Sequence, residues 1–133
     1  MGCGFSKEDK QLLTELHTQH TQIQLYIACA EGQVDAARLL LDKGARVNQA
    51  DEDGMTPLHT ACGAGHLDVA RLLLEKGADV NRAIKKGPLK GSTPLLFACV
   101  KDHVDAAGLL LEQGADVNRA KENGVTPLWI ACQ

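Results

Sequence analysis

Short apolar segments alternate with polar, glycine-containing turns along this chain, and the pattern predicts pairs of short helices. Thr56 precedes one apolar segment, with proline at the next position, as expected where a helix begins. The pattern predicts a first helix over 58–64, which Gly65 ends because glycine accepts a left-handed backbone. A second helix is predicted over 67–76, where valine and three leucines define an apolar face.

This helix pair recurs along the chain. Four Ala-Cys pairs place Cys29, Cys62, Cys99 and Cys132 at spacings of 33, 37 and 33 residues. The glycines Gly44, Gly77 and Gly114 and three Thr-Pro-Leu triplets follow the same spacing. The repeating unit therefore has 33 residues, with four more inserted before Thr93. Because one such unit cannot bury its own apolar face, neighbouring units must stack into a solenoid.

The unit at 51–81, with Thr56-Pro57-Leu58-His59 near its start and Gly77-Ala-Asp-Val-Asn81 at its end, resembles the ankyrin repeat. This resemblance covers about residues 19–133. It implies an all-α fold, an ankyrin-repeat solenoid of helix-turn-helix units with β-turn or hairpin tips.

The resemblance divides the chain into five parts. We expect an N-terminal segment at 1–18, a degenerate capping repeat at 19–50, repeat two at 51–83, repeat three at 84–120 and a partial repeat four at 121–133. Repeat one has Tyr26 where the histidine of Thr-Pro-Leu-His would stand. Because repeat four stops within its first helix, we interpret the chain as a fragment of a longer protein; a frayed last half-repeat is the alternative.

Repeat three departs from the others at three places. It contains the inserted basic segment 84–91, which its glycine and proline content predicts to be an exposed loop. Asp102 stands where the other repeats have glycine, and aspartate tolerates a left-handed backbone. Gly108 lies within a predicted helix at a cost of about 1 kcal/mol relative to alanine. We therefore expect repeat three to be the least stable.

The repeated cysteines are predicted to be buried structural residues. They lack the close spacing of zinc ligands, and equivalent positions on stacked helices lie about 8–10 Å apart, which is too far for a disulfide. Reduced thiols are typical of a cytoplasmic protein.

The N-terminus carries a separate signal. Gly2 followed by Ser6 fits the myristoylation pattern, and Cys3 supplies a position for palmitate as the second membrane signal. This start resembles those of dually acylated signalling proteins, and it predicts peripheral association with the inner face of a membrane. The alternatives are an unmodified N-terminus or an incorrectly assigned start.

Ser6 and Asp9 also predict a capping box that opens a helix bearing Leu12, Leu13 and Leu16, which we expect to pack on repeat one. The same helix lying on a membrane is the alternative.

Composition excludes several functions. The net charge is −3, and the four aromatic residues, Phe5, Tyr26, Phe97 and Trp129, are scattered, so we expect no nucleic-acid binding. No catalytic motif, metal-ligand set or cofactor motif is present, and we expect neither enzymatic activity nor a cofactor.

By resemblance, His59 and the asparagines Asn48, Asn81 and Asn118 have structural roles, although such asparagines are also hydroxylated in the family.

The resemblance implies a protein-interaction module that binds a protein partner on its concave face. The partner-binding positions that it implies are Glu52, Asp53, Met55, Gly63, Ala64, Leu89, Lys90, Ser92, Val100, Lys101, Glu122, Asn123 and Val125. A lipid-anchored adaptor is one alternative function, and the recruiting part of a larger enzyme or signalling protein is another. The basic segment 84–91 is interpreted as a solvated loop, with contact to anionic lipid or to an acidic partner as the alternative.

Overall fold

The computed structural model describes Gly4 and residues 6–118, and these residues form six α-helices in two layers. The first layer contains α1 (Lys7–Glu31), α3 (Pro57–Ala64) and α5 (Pro94–Val100), and the second contains α2 (Val34–Asp42), α4 (Leu67–Glu75) and α6 (Val104–Glu112). Each helix packs against its sequence partner in the other layer and against the equivalent helix of the next repeat. The predicted all-α ankyrin-repeat solenoid is confirmed.

Repeat two shows how the local sequence sets the helix ends. The Thr56 side chain accepts a hydrogen bond from the His59 backbone N–H, and the backbone N–H of Thr56 donates to the His59 side chain in return. Gly65 ends α3 with φ of 77°, in the left-handed conformation that the sequence predicted. The second helix ends at Glu75, one residue before the expected position.

A single apolar cluster runs through all three described repeats. Leu58, Leu73 and Leu110 are fully buried, and small residues such as Ala61 and Ala98 lie beside them. Because alanines allow helices to approach closely, the larger leucines can fill the space between layers. Stacking therefore buries the face that one repeat alone would expose.

The first helix differs from our expectation. We placed a boundary at residue 18, but α1 is one continuous helix of 25 residues that crosses it. Residues 7–31 contain neither glycine nor proline, so nothing ends the helix before Gly32, where φ is 74°. The capping box at Ser6 and Asp9 is confirmed. Residues 7–20 are exposed, however, so this end of the helix does not pack on repeat one, contrary to our expectation.

Two tips connect the helix pairs. The first tip, residues 51–55, precedes α3, and the second tip, residues 84–92, contains the insertion and precedes α5. In the second tip the Ile84 N–H donates to the Ser92 carbonyl at 3.0 Å, and the Gly91 N–H donates to the Ile84 carbonyl at 2.7 Å. Residues 85–90 are exposed, which confirms the predicted loop.

Repeat three also bears out the prediction for Asp102, which adopts a left-handed backbone with φ of 61°. Its lower stability, which we inferred from Gly108, stays a prediction. The proposed partial repeat at 121–133 lies outside the described residues.

Candidate interaction surface

Asparagine side chains join the turns of neighbouring repeats. Asn48 donates to the Gly77 carbonyl at 3.1 Å and accepts from the Asp79 N–H at 2.7 Å. Asn81 makes the same pair of bonds one repeat later, with the Gly114 carbonyl and the Asp116 N–H. These two asparagines therefore have the structural role that the family resemblance implied.

His59 holds the second tip against α3. It is fully buried, and its Nε2 lies 2.9 Å from the Ser92 carbonyl. Because a carbonyl only accepts, Nε2 carries the proton, and Nδ1 accepts from the Thr56 N–H at 3.1 Å. Burial lowers the pKa of this imidazole, mainly through desolvation of the charged form, so its neutral state is favoured.

Tyr26 performs the equivalent function in repeat one, which sequence reasoning missed. Its hydroxyl donates to the Met55 carbonyl at 2.9 Å, and it also contacts the Gln49 carbonyl. Met55 occupies the position in the first tip that Ser92 occupies in the second. The clue in the sequence was the 33-residue spacing between Tyr26 and His59.

Two further histidines connect adjacent repeats at the turns between the two helices of each repeat. His66 Nε2 donates to the Ala30 carbonyl at 3.0 Å, and His103 Nε2 donates to the Gly63 carbonyl at 3.2 Å. Each ring lies directly over a glycine of the preceding repeat, Gly32 or Gly65, where a Cβ atom would overlap it. We had not assigned a role to either histidine.

We define the groove face as the two tips together with the exposed parts of α3 and α5 and the residue that follows each. Most of the predicted partner-binding positions lie on it. Exposed positions are Glu52, Asp53, Ala64, Leu89, Lys90, Val100 and Lys101, and half-buried positions are Met55 and Gly63. The predicted positions Glu122, Asn123 and Val125 lie outside the described residues.

Ser92 corrects the predicted set. It is 2% exposed, because the hairpin turns its side chain inward while its carbonyl accepts from His59. Its side chain is therefore not available to a partner, contrary to our expectation.

The two tips carry opposite charges side by side. Asp51 Oδ1 accepts from the backbone N–H groups of Asp53, Gly54 and Met55 at 2.9, 3.1 and 2.9 Å, so this carboxylate shapes the first tip. The Asp53 carbonyl in turn accepts from the N–H groups of Lys85 and Lys86 at 2.8 and 3.0 Å. The exposed acidic side chains of the first tip therefore lie beside the exposed lysines of the second.

An open groove of about 800 Å³ lies between α1 and the start of the first tip. Thr18, Gln22, Ile23 and Tyr26 line it from the helix, and Arg46 and Glu52 are among the residues on the other side. It extends the surface beside the tips toward the N-terminal end of the solenoid.

Two of the four repeated cysteines, Cys29 and Cys62, have the buried environment that we predicted, and Cys132 lies outside the described residues. Cys29 and Cys62 are free, and burial raises the pKa of each thiol to about 12, which keeps both protonated at neutral pH. Cys99 is free and half-buried. Within the described part of the chain, no cluster of three or more His, Cys, Asp or Glu residues could hold a metal ion.

Comparison with known proteins agrees with this geometry. A family model described as "Ankyrin repeats (3 copies)" matches residues 5–84 and 82–133. No curated protein matches the chain with significance. Because the family model spans nearly the whole sequence and the structure shows the stacked helix pairs, the chain belongs to the ankyrin repeat family.

Proposed function

We propose that this protein is a non-catalytic adaptor whose groove face binds another protein. Ankyrin repeats are generally protein–protein interaction modules and are typically not enzymes. The observation that carries the proposal is that one set of side chains holds the tips in place while a different set is exposed on the groove face. Buried or tied side chains such as Asp51, His59 and Tyr26 hold the tips, which leaves Glu52, Asp53 and the lysines of the second tip exposed.

Charge supports specificity for a protein partner. Adjacent acidic and basic tips favour a partner segment that presents the opposite charges in the matching order. Complementary charges of this kind steer association and fix the orientation of the bound chain.

Apolar side chains on the same face supply the contacts that affinity requires. Val100 is 58% exposed and Leu89 is 41% exposed, and Met55 is half-buried between the first tip and α3. A few central contacts usually provide most of the binding energy of an interface. We expect Val100 and Met55 to be such contacts.

Val100→Glu should reduce capture of the partner at least about tenfold, because a charged side chain placed in an apolar contact must be desolvated on binding. Val104→Glu is the matched control, since Val104 is 73% exposed but begins α6 in the other helix layer. Affinity capture with each chain, followed by titration of the identified partner, measures both effects. Equal losses in the two variants, or no loss in either, would exclude this placement.

We further propose that Gly2 and Cys3 are acylated and bring the adaptor from the cytoplasm to the inner face of a membrane. The support is the sequence pattern alone, since both residues lie outside the described part of the structure. Among the described helices, none has the length and apolarity to span a bilayer. Cells expressing the chain should incorporate a myristate analogue, and the Gly2→Ala variant should not. An unlabelled wild-type chain would remove this proposal.

The remaining alternative, in which the chain recruits substrates for a larger enzyme, stays a prediction. Sequencing the longest transcript tests it directly.

A further inference from the structure

Helix α1 carries an exposed apolar stripe along its length, with no covering element among the described residues. Five large aliphatic side chains along the helix are between 47% and 59% exposed: Leu12, Leu13, Leu16, Ile23 and Ile27. Leu12, Leu13 and Leu16 form one apolar group, and Ile23 and Ile27 form a second on the same side of the helix, with Gln19 and His20 between them. Large exposed apolar surface is uncommon on a monomer and marks a site of interaction.

The stripe is distinct from the face that α1 uses to join the solenoid. The buried residues of α1 are Thr21, Gln22, Leu25, Ala28 and Cys29. At about 100° per residue, their centre lies about 180° around the helix from the centre of the exposed stripe. The helix therefore has two faces, one packed on α2 and α3 and the other turned away from them.

The spacing of four of the five side chains along the stripe is symmetric, and the position that mirrors Leu13 is Tyr26. Leu12 and Ile27 are equally far from the point midway between Gln19 and His20, and so are Leu16 and Ile23. If a second α1 runs antiparallel across that point, Leu12 of each copy faces Ile27 of the other and Leu16 faces Ile23. Such a surface is complementary to itself, as a twofold interface requires.

A membrane surface fits the stripe less well. Helices that lie on membranes are usually rich in lysine and arginine on their polar side. Between residues 7 and 20, α1 instead carries Glu8, Asp9 and Glu15 against Lys7 and Lys10. Anionic lipid would therefore repel rather than attract this part of the helix.

We propose that the exposed stripe of α1 docks onto the α1 stripe of a second copy of this chain, forming an antiparallel helix pair. The contact joins ten half-exposed aliphatic side chains, five from each copy. With the polar residues beside them, such a helix pair buries roughly 1,000 Å² in total, which is near the lower size limit of specific interfaces. Glu8 and Glu31 of the two copies lie at the same ends of the pair and further limit its strength. The dimer is accordingly expected to be weak and reversible.

Sedimentation equilibrium of the full chain tests self-association. The wild type should dimerise over a range of about 1–200 μM, and Leu16→Glu should weaken the dimer at least about tenfold. Gln11→Glu is the matched control, because Gln11 is exposed on α1 but lies away from the stripe, and it should dimerise like the wild type. Circular dichroism checks that all three chains are equally helical. A wild type that remains monomeric up to 200 μM, or equal weakening by both substitutions, would overturn the proposal.

Cysteine crosslinking tests the direction of the pair. When Leu16→Cys and Ile23→Cys chains are mixed and oxidised, peptide mass spectrometry should find residue 16 of one joined to residue 23 of the other. Neither variant alone should join through its new cysteine, because each then faces the native Ile23 or Leu16. Crosslinking of Leu16→Cys with itself would contradict the proposed antiparallel register. Binding of the monomeric wild type to phosphatidylserine vesicles, abolished by Leu16→Glu, would assign the stripe to a lipid surface instead.

Discussion

Gly65→Ala should lower the free energy of unfolding by about 3 kcal/mol, although it adds only one methyl group. Gly65 has φ of 77°, and an alanine in this left-handed conformation costs about 1–2 kcal/mol. The new Cβ would also lie 2.6 Å from the nearest ring atoms of His103, so the ring must move. Its displacement breaks the His103–Gly63 hydrogen bond, a loss of about 1 kcal/mol.

Gly77→Ala is the matched control for this substitution. Gly77 has φ of 94°, but no atom lies within 4 Å of the position that its Cβ would occupy. Gly77→Ala should therefore lower the free energy of unfolding only by the backbone cost of about 1–2 kcal/mol. In a His103→Ala background, Gly65→Ala should fall to the same value, because the ring that it overlaps is gone. Urea unfolding of the four variants measures these differences, and equal costs at Gly65 and Gly77 in the native background would refute the role given to His103.

His59→Leu should also cost about 3 kcal/mol, and this cost comes from polarity rather than shape. The equivalent position in repeat three is Leu96, which is 1% exposed, so a leucine side chain fits this place in the fold. At position 59, however, leucine leaves the Thr56 N–H and the Ser92 carbonyl without their buried partner. Each such group costs about 1–3 kcal/mol. His66→Ala, which removes one bond from a half-buried ring, should cost about 1 kcal/mol by comparison.

The cost of His59→Leu should shrink in acid. Because burial lowers the pKa of folded His59 below the ordinary 6.5, the unfolded chain takes up a proton first as the pH falls through 6.5. The wild type therefore becomes less stable in acid, whereas the leucine variant has no titrating group at this position and is not affected in this way. Above about pH 7.5, His59 is neutral in both the folded and the unfolded wild type. Urea titrations at pH 5.0 and 7.5 give the comparison. An identical cost at both values would show that His59 does not resist protonation in the folded state.

Local signals explain how much of the fold the sequence predicted. Thr56 and Gly65 define the ends of α3 through their own backbone and nearest neighbours, so the helix could be placed without tertiary information. The sequence analysis gave no length for α1, because it treated 1–18 and 19–50 as separate parts, whereas residues 7–31 form one helix. The division at residue 18 followed the repeat pattern, although no residue there ends the helix.

The interaction surface was predicted less completely because it depends on contacts between repeats. The roles of Tyr26, His66 and His103 rest on carbonyl groups 23 or more residues away in sequence, which no local pattern displays. Ser92 was misplaced for a similar reason. Its side chain is 2% exposed while its carbonyl accepts from the His59 ring of the preceding repeat, and this contact spans 33 residues of sequence.

Hydrogen–deuterium exchange of the full chain, with and without the protein partner identified by capture, tests the central claim most directly. If the groove face binds the partner, exchange should slow in the two tips, 51–55 and 84–92, and in the following helices α3 and α5. The second layer, α2, α4 and α6, should exchange at unchanged rates. Slower exchange confined to the second layer, with the two tips unaffected, would contradict the proposed function.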